Sequence, residues 1–360
     1  MFKMTTASKL KKIPLWILLL MISMFPVLSG CGPFPDNVRV VLTTGLSEEQ
    51  VFRINSMICT KSEYMVYLTN LQKRYEQVYG TEIWDTRLPS STMEEEVKES
   101  VLRELEQIKI MNLMAGRYEV NLSEEDEEKL NLAADTYYTS LSDKEAEALL
   151  VTRESIYRMY REYLISVRVH EAVMAGVDPE ISDDEARIIT VEQIGIKTYT
   201  TDEEGKRIEM APQERAKVYK KARIAYERAM NGEDFGSLIS EYNEVGQSRL
   251  SFGHGDKEEA YENVAFNLGQ GEISEIFETE DGFFLIRCIS TFNEEETAKN
   301  KEVIRERQKR EAFDAEYRSY LSKVTEEVNE ELWPKITFLR EEYIHTDSFF
   351  KTFDTCFSGS

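Results

Sequence analysis

Residue types that could do chemistry are sparse in this chain. Its 360 residues hold three histidines and four cysteines. His170 stands alone in a helical stretch, and His254 lies in a short glycine-containing segment. Cys59, Cys288 and Cys356 have none of the close spacings of a zinc or redox motif, so no metal is expected. Cys59 follows Ile58, and Cys288 follows "FLIR"; both runs are strand-like, which favours buried free thiols. The acidic run Glu124 to Glu128 lacks the spaced ligands and central glycine of a calcium loop and reads as a solvated helix face. There is no G-x-S-x-G elbow, P-loop, dinucleotide fingerprint or facing pair of Glu-x-x-His motifs. No cofactor is expected.

The fourth cysteine has a different setting. Lys3, Lys9, Lys11 and Lys12 precede an apolar run, "IPLWILLLMISMFPV" (residues 13–27), that is short for a spanning helix. Then comes "LSGC", ending at Cys31. This order resembles the lipobox of bacterial lipoproteins, which implies cleavage before Cys31 and lipid on its thiol. Each buried methylene of such a lipid contributes ~0.8 kcal/mol of membrane affinity. The chain carries 67 acidic against 44 basic residues, a net charge of −23. Removing the four lysines takes the mature protein to about −27. No basic nucleic-acid footprint is present.

The elements that must position any site follow from periodicity. Residues 38–42 read as a strand, "SEEQ" (residues 47–50) has capping-box spacing, and "VFRIN" is a second extended run. Tyr64, Leu68, Leu71 and Tyr75 predict a helix stopped by Gly80. From Thr92 to Gly176 the chain is helical and acidic. One stripe runs through Val97, Val101, Leu105, Ile108 and Met111; another runs through Ile156, Tyr160, Leu164 and Val167. "AGVDPEISDDEAR" is a linker.

Beyond it the pattern is strand ("RIITVEQIGI", residues 187–196), hairpin excursion, three helices and two strands about Asp281–Gly282. A further short strand is expected near Ser251–Phe252. This predicts an α+β domain with an antiparallel sheet of about four strands. A long helix is expected over 294–332, with Ile304, Phe313, Tyr317, Leu321, Val324 and Val328 on its apolar side. The tail after it has aromatics but little regular pattern, and reads as partly disordered or as a short docking segment.

"NGEDFGSLISEYNE" (residues 231–244) and "YENVAFNLGQGEISEIFETEDGFFLIR" (residues 261–287) resemble a parvulin-type peptidyl-prolyl isomerase domain. Phe235, Leu238, Tyr242, Phe266, Leu268, Gly271, Ser274 and Gly282 match its packing and turn pattern over residues 187 to 292. The preceding helices look like a SurA-type N-terminal chaperone domain. With the lipobox, the whole chain resembles the PrsA-type foldase lipoproteins.

The resemblance implies rotation of X-Pro bonds, whose uncatalysed barrier is ~20 kcal/mol, without a cofactor. It also implies two histidines, a Cys or Asp between them, and an apolar proline pocket. Here those polar positions hold Gln193, Phe284 and Val245. The family's "G-D-L-G" reads "SRLS" (residues 248–251), and the pocket positions fall at Lys257 and Tyr261. His254 occupies a different motif position. No catalytic residue is therefore assigned, and Phe252, Tyr261, Phe266 and Phe284 are the peptide-groove candidates.

The expected organisation is a signal peptide (1–30), a SurA-like chaperone domain (31–180), an inserted parvulin-like domain (181–293), a long helix returning to the chaperone body (294–335) and a tail (336–360). The expected function is a membrane-anchored extracytoplasmic chaperone or foldase for unfolded or extended secreted polypeptides. Nucleic acid is not an expected partner, and the oligomeric state is left open. The rivals are a divergent active isomerase and a non-catalytic scaffold lipoprotein of an envelope complex.

Overall fold

A computed structural model describes residues 45–357. Cys31, the signal segment and the strand expected over 38–42 lie outside the described residues. The described chain divides into two compact units, one formed by residues 45–177 together with residues 310–357, the other by Asp178–Lys309.

The first unit opens with a hairpin, β1 (Gln50–Ile54) and β2 (Met57–Thr60). "SEEQ" makes a turn here, not a helix start: Ser47 N–H donates to the Gln50 side chain, and Gln50 N–H donates to Ser47 O. The β-branched and aromatic residues that follow take the backbone into a strand. Helix α1 (Lys61–Tyr79) is capped by Thr60 and stopped by Gly80 at φ +77°.

Capping boxes then begin α2 (Met93–Met114), α3 (Glu124–Ser140), α4 (Asp143–Ala148) and α5 (Arg153–Ala175), at Thr92, Ser123, Ser142 and Thr152. Their predicted stripes are buried, except that Val167 is half-exposed and Val169 and Val173 complete the α5 stripe. His170 is partly exposed and meets Phe313 edge-on at 4.6 Å. Inside the helices, Lys109 is 1% exposed, with its ammonium 2.8 Å from both Glu63 oxygens and bonded to Glu162.

In the second unit, β3 (Ile189–Lys197) is followed by a two-stranded excursion, β4 (Tyr199–Thr201) with β5 (Arg207–Glu209). Next come α6 (Pro212–Met230), α7 (Phe235–Tyr242), β6 (Arg249–Phe252), α8 (Glu259–Ala265), β7 (Phe277–Thr279) and β8 (Gly282–Ser290). The strands form an antiparallel sheet in the order β6-β3-β8-β7, the α+β arrangement expected.

The turn between β7 and β8 is Glu280–Asp281, one residue earlier than expected, because Gly282 already pairs with Thr279 and Lys197. Gly282 takes φ +149°, and a Cβ there would collide with the Ile196 carbonyl of the adjacent strand.

Helix α9 (Glu294–Leu321) is shorter than predicted. Val324 lies beyond it, and Val328 sits on β9 (Glu326–Val328), which pairs antiparallel with β1. The ladder with β1 supplies the backbone partners that continued helix would have supplied. Within the described tail, Ile336–Ser348 form neither helix nor strand, and α10 (Phe349–Phe357) buries Phe349, Phe350 and Phe353. Among the described residues no helix is long and apolar enough to cross a membrane.

Candidate peptide site of the parvulin-like domain

Strand alternation decides what the site contains. On β3 and β8, Ile194, Ile196 and Leu285 face α6 and α7, packing against Ala222, Ala225, Phe235 and Leu238. Ile189, Val191, Phe284 and Ile286 face the other way and pack with Phe252, Tyr261 and Ala265. Side chains two apart share a face, so Gln193 and Gly195 belong to this second face.

Two of the three positions where the parvulin resemblance expects polar groups, Val245 and Phe284, are brought together over Gly195, while Gln193 lies two residues along β3. Gly195 pairs with Phe284 across the β3–β8 ladder. A Cβ added to Gly195 would stand 2.6 Å from the Phe284 ring and 2.7 Å from a Val245 methyl. The aromatic ring and the branched methyls thus occupy the volume over a strand glycine. Asn243 fixes this arrangement: its Oδ1 accepts from Gly195 N–H at 2.9 Å, and its Nδ2 donates to Val245 O at 2.7 Å. Glu244 N–H donates to Gly195 O at 2.8 Å. Gly195 and Asn243 were not among the sequence candidates. The signal for the first was a glycine inside a β-branched run, a mark of close approach.

Gln193 is 6% exposed and Tyr261 4%. The Tyr261 hydroxyl donates to Gln193 Oε1 at 2.9 Å, and Gln193 Nε2 donates to Gln247 O at 2.5 Å. Both ends of the amide are therefore engaged. Burial pushes the Tyr261 phenol up, which keeps it a neutral hydroxyl. Neither group is a proton carrier near neutral pH.

The groove candidates fall into two sets. Phe252, Tyr261 and Phe284 are 3%, 4% and 6% exposed and meet edge-on, with Tyr261 5.6 Å from each of the other two rings. Phe266 is half-buried, with the His254 ring stacked on it at 3.8 Å and the Arg187 guanidinium 5.0 Å from its centre.

His254 is exposed and lies 3.9 Å from Glu262, whose other oxygen accepts from the N–H groups of Gly255 and Lys257. Lys257 is exposed at the surface of this loop. The described cysteines are free; Cys59 and Cys288 are buried in β2 and β8, and burial raises both thiols. Among the described residues no cluster could hold a metal ion.

Comparison with known proteins bears on this site directly. The PPIC-type PPIase domain of the rotamase family matches residues 199–290. That range begins just after β3, so the strand bearing Gln193 and Gly195 lies outside it. A foldase protein PrsA of Caldanaerobacter subterraneus subsp. tengcongensis is 25% identical over 250 residues, covering 67% of this chain and 74% of that protein.

Among solved structures, a peptidylprolyl isomerase (PrsA) from Bacillus cereus is 18% identical and covers 75% of this chain and 97% of its own, with a TM-score of 0.36. A chain from a study of two SurA-like chaperones of Campylobacter jejuni is 10% identical and covers 78% of this chain and 99% of its own, with a TM-score of 0.27. By the domain match the chain carries a PPIC-type parvulin domain over residues 199–290, and over two thirds of its length it is similar to a PrsA foldase.

Proposed function

We propose that this protein is a lipid-anchored extracytoplasmic chaperone and foldase for unfolded or extended secreted polypeptides. Its parvulin domain binds peptide weakly and accelerates prolyl isomerisation poorly or not at all. The observation that carries this reading is the packing of Phe284 and Val245 over Gly195, at positions where the resemblance implies polar groups. An aromatic ring there gains ~1.5–3 kcal/mol by burial but supplies no donor or acceptor.

Peptide contact falls to the half-buried Phe266, with Phe252, Tyr261 and Phe284 supporting the surface from beneath. The Tyr261–Gln193 hydrogen bond is what favours the rival reading, a divergent isomerase. With the bond to Gln247 it occupies both the oxygen and the nitrogen of the Gln193 amide, which supports a structural role for that pair.

Anchoring rests on the ordered basic segment, apolar segment and "LSGC". The test has two readouts. The mature chain, added in stoichiometric amounts, is expected to suppress light scattering by several unrelated unfolded clients; protection of none defeats the chaperone reading. Cys31→Ala is expected to leave the membrane fraction or stall unprocessed; a variant processed and retained as before removes the lipid anchor.

A further inference from the structure

The C-terminal segment is held in the first unit as a bound peptide would be. Residues 336–348 have no strand partner, yet side chains of the first unit hold part of their backbone. Glu145 accepts from the N–H groups of His345 and Thr346, at 2.8 and 3.0 Å. Asn70 Oδ1 accepts from Phe349 N–H at 2.9 Å, and the Tyr160 hydroxyl donates to Phe349 O at 2.7 Å. Gln72 Nε2 donates to Leu339 O at 3.0 Å. Buried backbone groups need partners, and here side chains of three helices, α1, α4 and α5, supply them in place of a ladder. Such contacts read the course of a main chain, whatever side chains it carries.

The side chains of the same segment fill an aromatic cage. Phe349 is fully buried, stacked on Tyr160 at 4.3 Å and met by Tyr67 and Tyr137, each at 5.2 Å. Phe350 and Phe353 follow at helical spacing, and Phe353 packs on Tyr163 at 4.8 Å. The spacing i, i+1, i+4 is that of an amphipathic helix seated in a groove. The Tyr67 hydroxyl is buried without a partner, an uncommon cost that a dedicated core position seldom carries.

We propose that the cleft between α1, α3 and α5 is a peptide-binding site for aromatic-rich unfolded segments, and that residues 344–357 are its intramolecular occupant. The tail then competes with clients for the same cage, and its release exposes a surface matched to three closely spaced aromatic anchors on one short helix. The client half of this proposal rests on the chaperone reading above.

The experiment uses the mature chain, a chain ending at Tyr343, and a full-length Phe349→Ala variant. The probe is a fluorescent peptide of residues 344–357. The truncated chain is expected to bind this peptide saturably, about tenfold or more tighter than a peptide with all three phenylalanines 349, 350 and 353 replaced by alanine. The intact chain is expected to bind it little, and Phe349→Ala to an intermediate degree. Unlabelled aromatic-rich segments of an unfolded secreted protein are expected to displace it.

A folded truncated chain that ignores the peptide overturns the proposal. So does a truncated chain that is unfolded and not restored by peptide, together with a Phe349→Ala variant that rejects the probe. Rebinding of the peptide without displacement by any client segment also overturns it. Aggregation suppression by the intact chain is read in parallel, so its absence defeats the chaperone reading separately from the displacement result.

Discussion

Phe284 stands directly across the β3–β8 ladder from Gly195, and its ring comes so close that a methyl group on Gly195 would lie 2.6 Å away. The two residues are complementary in size, and the second is small because the first is large.

The first prediction follows from that pairing. Gly195→Ala is expected to destabilise the parvulin domain by ~1–3 kcal/mol, the usual cost of overpacking. Combining it with Phe284→Ala relieves only part of the strain, since a Val245 methyl stands 2.7 Å from the same position. A double-mutant cycle from denaturant melts is expected to give a coupling of at least ~0.5 kcal/mol. Additive effects would show that the ring and the glycine are independent.

Lys109 carries the second. Burial opposes its charge, but Glu63 and Glu162 overcome this and hold the ammonium protonated. Lys109→Met leaves the buried Glu63 carboxylate and the partly exposed Glu162 without their cation, and a loss of ~3–5 kcal/mol is expected. Lys109→Met combined with Glu63→Gln and Glu162→Gln is expected to recover much of it. Thermal melts of the three proteins decide this; a Lys109→Met variant as stable as the parent contradicts it.

A pair of carboxyls gives the third. Glu106 on α2 and Glu326 on β9 are 4% and 5% exposed. Burial, then the hydrogen bond and the repulsion from Glu326, raise Glu106 well above the usual carboxyl range. With its folded value raised, the stabilising contribution is full below the unfolded value of ~4.3 and is lost as pH rises through the folded value. Glu106→Gln is expected to flatten that alkaline-side loss. Unfolding free energy measured against pH checks it, and an unchanged slope refutes it.

Glu145 has the opposite sign. Burial would raise it, but N–H donors of Ser142, His345 and Thr346 hold it below the usual range. Its contribution is present above ~4.3 and is lost as pH falls through the lowered value. The protection of the His345 and Thr346 amides, measured relative to their intrinsic exchange rate at each pH, is expected to fall in acid, and to be low already at neutral pH in Glu145→Ala. Equal protection in both proteins at neutral pH contradicts this role.

The parvulin order was legible because its elements are marked by local chemistry. Capped helices, a β-branched strand and a glycine at the head of β8 each state their own conformation. The size match of Gly195 with Phe284 was not legible, because 89 residues of chain separate them and only the ladder register places them together.

The end of α9 was misplaced because Val324 and Val328 continue its apolar rhythm, while the backbone is claimed by pairing between Val328 and Phe52 of β1. Helix α10 was missed although Phe349, Phe353 and Phe357 have helical spacing. Its length of nine residues is too short to be stable alone, so the cage that holds it decides its conformation.

The central claim is that a parvulin scaffold has exchanged its polar centre for packing. Cis-to-trans relaxation of proline peptides with several preceding residues, followed with the mature chain, tests it most directly. The predicted result is relaxation close to the uncatalysed rate, on the order of tens of seconds at 25 °C. A strong acceleration that disappears in Gln193→Ala or Tyr261→Phe would contradict it, and would make the Tyr261–Gln193 pair the working part of a divergent isomerase.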